Sequence, residues 1–299
     1  MVIVAAAQYP IDRLASWAAY EAKLTSWVES AVAGGARLLV FPEYGAMELA
    51  SLDPATMGDL SASLQTVSDL IPRADALHAQ LSARHGVYIL AASAPHALAD
   101  GRYVNRARLF GPEGQLGQQD KLIMTRFENE HSGVSAGEGI TVFATGIGRI
   151  GIAICYDSEF PLLVRAMVEA GAEIILVPSC TDSLQGYWRV RLGAQARALE
   201  SQCYVVHAPT VGTAKWSPAV DDNHGAAAIY GPPDGDFPPN GVVAIGELDR
   251  PQWVFGEVDL EKMAQVRTDG RVLNLRDWDK QEAARATIRS SAVPFGEIA

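Results

Sequence analysis

Apolar residues along this chain recur in two rhythms. Residues 2–8 are almost continuously apolar and stop before Pro10, which predicts a buried strand. Trp17, Tyr20, Leu24, Trp27, Val28 and Ala31 then follow at helical spacing until Gly34-Gly35 ends the run. "ARLLVFPE" predicts a second buried strand, with Pro42-Glu43 just past its end. Residues 64–84 predict a helix closed by Gly86, and "VYILAAS" predicts a third strand. The order β-α-β-α-β is the rhythm of a layered α/β protein.

Past residue 100 the pattern changes. "YVNRARLFG", the turn "PEG" and "QLGQQDKLIM" predict an antiparallel hairpin ending at Lys121. "RFENEHSGVSAGEG" is polar and glycine-containing, and predicts a loop. "TVFAT" and "RIGIAIC" predict a further strand pair. A helix then starts at Pro161, a residue suited to the first helical position, and stops before Gly171. "EIILVPS" predicts a strand, "YWRVRLGAQARALES" a helix and "CYVVHAP" a strand. "HGAAAIYG", "VVAIGE" and "WVFGEVD" predict the last strands, around the loop "GPPDGDFPPNG". No low-complexity linker or short repeat divides the chain, so one domain over residues 1–270 and a charged tail over 271–299 are expected.

Composition narrows the classes. Of 299 residues 48% are hydrophobic, enough for a sizeable core. The formal charge of -11 argues against a nucleic-acid binder and gives no support to binding an anionic membrane. Cys155, Cys180 and Cys203 are too few and too scattered for a disulfide framework, and no CxxC or His/Cys cluster suggests zinc. "MVIVAAAQYPIDR" reads as a first strand rather than a leader, and no apolar run reaches membrane-span length. A reduced, cytoplasmic, enzyme-sized protein without metal or organic cofactor is the expectation.

Chemistry in α/β proteins gathers outside the carboxyl ends of strands. Glu43, Lys121 and Cys155 each lie at such an end, on segments far apart in sequence. Singly, each has an ordinary reading: a solvated carboxylate, edge-strand protection, and a small buried hydrophobe. Together they are an acyl-transfer set. A thiol attacks well only when its proton is removed or its pKa is lowered. Glu43 is the candidate base, and Lys121 is the candidate donor to a tetrahedral oxyanion, with the Tyr156 amide as a second donor.

"FPEY" at residues 41–44, "QDKLIM" around Lys121 and "GIAICYDSEFP" around Cys155 resemble, in order, the three signature blocks of the nitrilase superfamily of carbon–nitrogen hydrolases. The similarity runs from "AAAQYP" to "FGEVDL" and takes in "LVPSC" and the helix after it. The resemblance implies a four-layer α-β-β-α sandwich with Glu43 as general base, Lys121 as oxyanion stabiliser and Cys155 as nucleophile. It also implies a second glutamate in the loop after the lysine. Glu128 and Glu130 both stand there, and Glu130, seven residues before Gly137, is preferred on the family spacing. Its expected role is to hold Lys121 or the substrate amide.

The resemblance further implies a homodimer, or a larger even-numbered assembly, built on the helix after the nucleophile. That helix carries Leu162, Leu163, Ala166, Met167 and Ala170, and the tail adds Leu273, Leu275, Trp278 and Phe295 as candidate interface residues. Tyr156-Asp157 after the cysteine is closer to amidase and carbamoyl-amide branches than to true nitrilases, which usually show Trp then Glu. The expected substrate is a small linear carboxamide, with Tyr44, Tyr156, Cys180 and Trp188 as candidate pocket residues.

Other readings fit less well. A papain-like enzyme needs a histidine partner, for which His207 and His224 are available, but no local motif of that class surrounds Cys155. "ICYD" lacks the flanking glycines of an amidotransferase glutaminase, and the zinc-deaminase HxE and PCxxC pair is absent. "GPEGQLG" sits in a hairpin and reads as a turn, not a phosphate cradle. A non-catalytic binding protein that keeps the hydrolase scaffold is the alternative of another class.

Overall fold

A computed structural model describes residues 1–287. Among the described residues, fourteen strands form two half-sheets. The first half holds β1 (Val2–Pro10), β2 (Leu38–Val40), β3 (Tyr88–Ala97), β4 (Tyr103–Gly111), β5 (Gly114–Asp120) and the short β6 (Val134–Ser135). The second holds β7 (Val142–Thr145), β8 (Gly148–Ile152), β9 (Ile174–Ser179), β10 (Tyr204–Thr213), the short β11 (Asp222–Asn223), β12 (Ala228–Tyr230) and β13 (Val242–Ile245). The last strand, β14 (Gln252–Val258), returns to pair with β1. Strand order is β14-β1-β2-β3-β4-β5 in one half and β13-β12-β10-β9-β8-β7 in the other. Each has three parallel central strands and antiparallel flanks. The halves meet where Tyr9 and Pro10 of β1 run beside Thr210 and Val211 of β10.

Side-chain alternation explains the layers. Ala5, Ala7 and Tyr9 of β1 face α1 (Trp17–Ala33) and α2 (Leu60–His85), among Leu24, Val28, Val67 and Ile71. Val4 and Ala6 of the same strand face the second half-sheet and join Leu38, Val40, Ile174 and Leu176. Strands buried on both faces must be apolar at every position, which is why they read as continuous runs. On the far side, α3 (Pro161–Glu169) and α4 (Leu184–Ser201) bury Met167, Val168, Val190 and Ala194 against the second half-sheet. The result is the four-layer α-β-β-α sandwich.

α5 (Leu260–Asp269), α6 (Asn274–Asp277) and α7 (Lys280–Arg285) follow β14. The tail up to Trp278 lies against its own body. Arg165 donates to the Leu275 carbonyl at 2.9 Å and stacks over Trp278, while Gln202 bonds Val272 and Leu275. Phe295 lies outside the described residues. Among the described residues no helix is long and apolar enough to cross a membrane.

Candidate active site

Glu43 stands two residues after the buried segment Leu38–Phe41, where Pro42 ends the strand and Tyr44, at φ 52°, turns the chain into the short 3-10 helix Gly45–Leu52. A Cβ on Gly45 would meet Ala92 at 3.0 Å, so this turn packs tightly on β3. Lys121 follows β5 directly, its amide bonded to the Asn105 carbonyl of β4 at 2.9 Å. Cys155 comes three residues after β8 and opens the 3-10 turn Cys155–Glu159. Its φ of 49° is a left-handed conformation that costs a non-glycine residue about 1–3 kcal/mol and persists only where its surroundings hold it. They do: Ser158 donates to the Cys155 carbonyl at 2.6 Å, and Arg197 of α4 donates to the Ser158 carbonyl at 3.0 Å. Gly193 allows that helix to approach, since a Cβ there would lie 3.2 Å from the Ser158 carbonyl oxygen.

The three residues converge. Lys121 Nζ donates to Glu43 Oε1 at 2.8 Å and to Glu128 Oε2 at 2.7 Å, and all three side chains are buried. Glu43 also accepts from Asn105 Nδ2 and from the Cys180 amide, each at 2.9 Å. Cys155 lies against this group, its thiol 3.9 Å from the Cys180 carbonyl oxygen. Burial pushes the Glu43 carboxyl up, Lys121 opposes that rise, and the Glu128 charge adds to it. Burial opposes the charge on Lys121, but Glu43 and Glu128 outweigh it and hold the ammonium above its ordinary range. Burial and then the Glu43 charge push the Cys155 thiol well up, with Lys121 pulling the other way. Burial and Glu43 both push toward the neutral thiol, so attack by this sulfur calls for a base to take its proton.

The second glutamate is a correction. Glu128, not Glu130, reaches Lys121. It also accepts from the Thr125 amide and hydroxyl and from the Tyr44 hydroxyl, each at 2.9 Å; against burial, Lys121 and then the Thr125 bonds hold its pKa low. Glu130 points to the surface and pairs with the exposed Arg126. The cause is local geometry: residues 128–132 form a wide π-helical turn, so the two glutamates project to different sides. Reading this segment as a plain loop concealed that turn.

A cavity of about 320 Å³ opens onto the group, lined at its base by Glu43, Lys121, Glu128 and Cys155. Tyr44, Tyr156 and Cys180 line it, as the sequence suggested. Trp188 does not: it is 46% exposed and packs on Tyr187 and Arg191. Gly186 and Val190, four residues apart on α4, face the cavity, and residue 188 lies about 200° round the helix from either. Leu60, Leu64, Val134 and Val220 supply apolar wall, and Arg189 and Glu159 stand nearer the rim. Cys203 is fully buried packing.

Sequence reasoning missed Asn105 and Asp157. Asn105 accepts from Ser93 Oγ at 2.6 Å while donating to Glu43, and Ser93 Oγ accepts the Tyr44 amide at 3.0 Å. Its strand, YVNRARLFG, also carries Arg106 and Arg108, so nothing local set Asn105 apart. Asp157, 1% exposed, accepts from the amides of Leu122 and Ile123. Burial pushes its carboxyl up to about 7, against the pull of those two amides.

The sequence model of the Carbon-nitrogen hydrolase family matches residues 3–268. The chain is 34% identical over 273 residues to a probable hydrolase, YhcX, of Bacillus subtilis, covering 90% of this chain but 52% of that protein. The chain thus spans about half the length of that relative. It is 28% identical over 255 residues to the deaminated glutathione amidase of Synechocystis, covering 80% of this chain and 86% of that one. Among solved structures, a carbon-nitrogen hydrolase from Helicobacter pylori superposes with TM-score 0.75 at 20% identity, over 96% of this chain and 98% of that one. A mutant of the Nesterenkonia sp. AN1 amidase, with acrylamide added at its active-site cysteine, superposes with TM-score 0.67 at 20% identity, over 93% and 100%. With a family match across nearly the whole described chain, the chain belongs to the carbon-nitrogen hydrolase family, and it shares its layered fold with these structures.

Proposed function

We propose that this hydrolase cleaves a small linear carboxamide to a carboxylic acid and ammonia through a thioester on Cys155. The observation that carries the reading is the buried set Glu43, Lys121, Glu128 and Cys155 at the base of one cavity. Sγ of Cys155 attacks the amide carbon as its proton passes to Glu43, and the carbonyl oxygen gains negative charge facing the Lys121 ammonium. When the tetrahedral species collapses, the C–N bond breaks and Glu43-H protonates the leaving nitrogen, releasing ammonia. Water then attacks the thioester and gives a proton to Glu43. The C–S bond breaks, the acid leaves, and the sulfur recovers its proton from Glu43. Glu128 is assigned to hold Lys121. It touches the lysine and not the thiol.

Support for an amide comes from Tyr156-Asp157 after the nucleophile and from relatives named as amidases. Ammonia release across a panel of short aliphatic amides, ω-amides of dicarboxylic acids, N-carbamoyl compounds and the matching nitriles tests it. One amide class should dominate. More acid from a nitrile than from its amide would make the protein a nitrilase, and no turnover of any of these would favour a binding protein.

The same reading includes a two-fold homodimer across α3 and α4. Leu162 of α3 is 69% exposed and Leu192 of α4 is 60% exposed, with Leu184, Trp188 and Leu199 exposed on the same helix. Such an apolar surface on neighbouring helices suits burial by a second copy.

A further inference from the structure

The two chain segments that must keep register during the proposed reaction are the turn carrying Cys155 and the stretch just after Lys121. They are 34 residues apart in sequence, and one side chain joins them. Asp157, two residues past the nucleophile, accepts from the Ile123 amide with Oδ1 at 2.8 Å and from the Leu122 amide with both oxygens, Oδ2 at 3.1 Å and Oδ1 at 3.2 Å. Leu122 is the residue after Lys121, and neither amide lies in a strand ladder. The carboxylate is 1% exposed, so water does not compete for these donors. Its own turn is anchored at Ser158 by Arg197, and the Lys121 segment is anchored from the other side by the Asn105 carbonyl and the Gly137 amide. Each segment is thus fixed to a different half of the fold, and the Asp157 clamp spans the gap.

We propose that Asp157 is a positioning residue that holds the Lys121 ammonium in register with the Cys155 thiol. It does not touch substrate. It acts through the Leu122–Ile123 backbone on the lysine and through its own turn on the cysteine. The proposal rests on the thiol-hydrolase reading above, which Cys155→Ala tests separately.

Asp157→Asn keeps the shape and can keep its oxygen on the Ile123 amide, but its NH₂ then faces the Leu122 amide at the Oδ2 position, donor against donor, and leaves that amide only the longer 3.2 Å contact. A misplacement of about 1 Å between reacting groups costs up to about 10²-fold. The expected result is a folded variant with kcat lower by about 10–100-fold and KM changed by less than about threefold. A second readout needs no substrate: the rate at which iodoacetamide alkylates the Cys155 peptide, followed by mass against pH. The charged groups that face this thiol are Glu43 and Lys121. A neighbouring opposite charge is worth about 1–3 pKa units, so a displaced Lys121 moves the alkylation midpoint about one unit to higher pH. Asp157→Glu retains the carboxylate on a longer stem, and it is expected to fold and show a smaller shift in the same direction. If either variant folds and keeps both the wild-type kcat and the wild-type alkylation profile, the proposal is overturned. It is equally overturned if activity falls only in proportion to the unfolded fraction while the profile stays put.

Discussion

Replacing Glu128 by Gln isolates what the second glutamate does. The change keeps the shape of a 3% exposed side chain and removes its charge. Glu128 accepts from Lys121 at 2.7 Å, from the Thr125 amide and hydroxyl, and from the Tyr44 hydroxyl. A glutamine can turn its oxygen to Lys121 and Thr125 and its NH₂ to the Tyr44 oxygen, so most bonds survive in neutral form. What is lost is the charge-assisted bond to Lys121, while the lysine keeps Glu43. Hydrogen bonds to charged groups contribute about 1.5–3 kcal/mol, so a loss of about 2 kcal/mol is expected. For a chain of this size that lowers Tm by about 4 °C. Losing an oxyanion donor outright costs about 10²–10³ in rate, and a lysine left on one of two anchors should lose about 10–100-fold in kcat. Glu130→Gln is the control. Its pair with the exposed Arg126 is a surface ion pair, of a kind worth at most about 1 kcal/mol, and activity should not move. Steady-state ammonia release and thermal melts of both variants decide the matter. A silent Glu128→Gln beside an impaired Glu130→Gln would refute the assignment of the lysine's partner.

The remaining predictions concern pH and assembly. Glu43 must be ionised to take the thiol proton, and burial raises its pKa, so kcat/KM should fall on the acid side at a pH above that of an ordinary carboxylate. The Glu128 charge contributes to that rise, so Glu128→Gln should move the acid limb to lower pH, and full activity persisting to about pH 4.5 in the parent would contradict this. For assembly, Leu192→Arg places a charge on the exposed α4 stripe and should convert a dimer to a monomer by light scattering with little change in Tm. A parent that is already monomeric, or a variant of unchanged mass, would remove that interface.

Much of the layered fold was legible because strands buried on both faces are apolar throughout. The runs at residues 2–8, 38–41 and 174–179 carry no polar gap to confuse them. Glu43 and Cys155 were legible for the same reason, each being a polar or reactive group at the end of such a run, whereas Lys121 follows the polar strand Gly114–Asp120 and was placed by the hairpin it ends. Where the reading failed, the deciding information was three-dimensional. Glu128 and Glu130 are two residues apart in one polar stretch, and only the π-helical turn separates their directions. Trp188 sits among residues that do face the cavity, but its helical phase turns it away. Asn105 and Asp157 act through partners 62 and 34–35 residues distant, a relation no local pattern carries.

The central claim is that Cys155 becomes acylated during turnover. Rapid quench of the enzyme with its best amide, followed by mass analysis of the cysteine peptides, measures this directly. The account predicts an acyl adduct on the Cys155 peptide that forms and decays with turnover, unmodified Cys180 and Cys203, and neither adduct nor ammonia from Cys155→Ala. Undiminished ammonia release by a folded Cys155→Ala variant would contradict it.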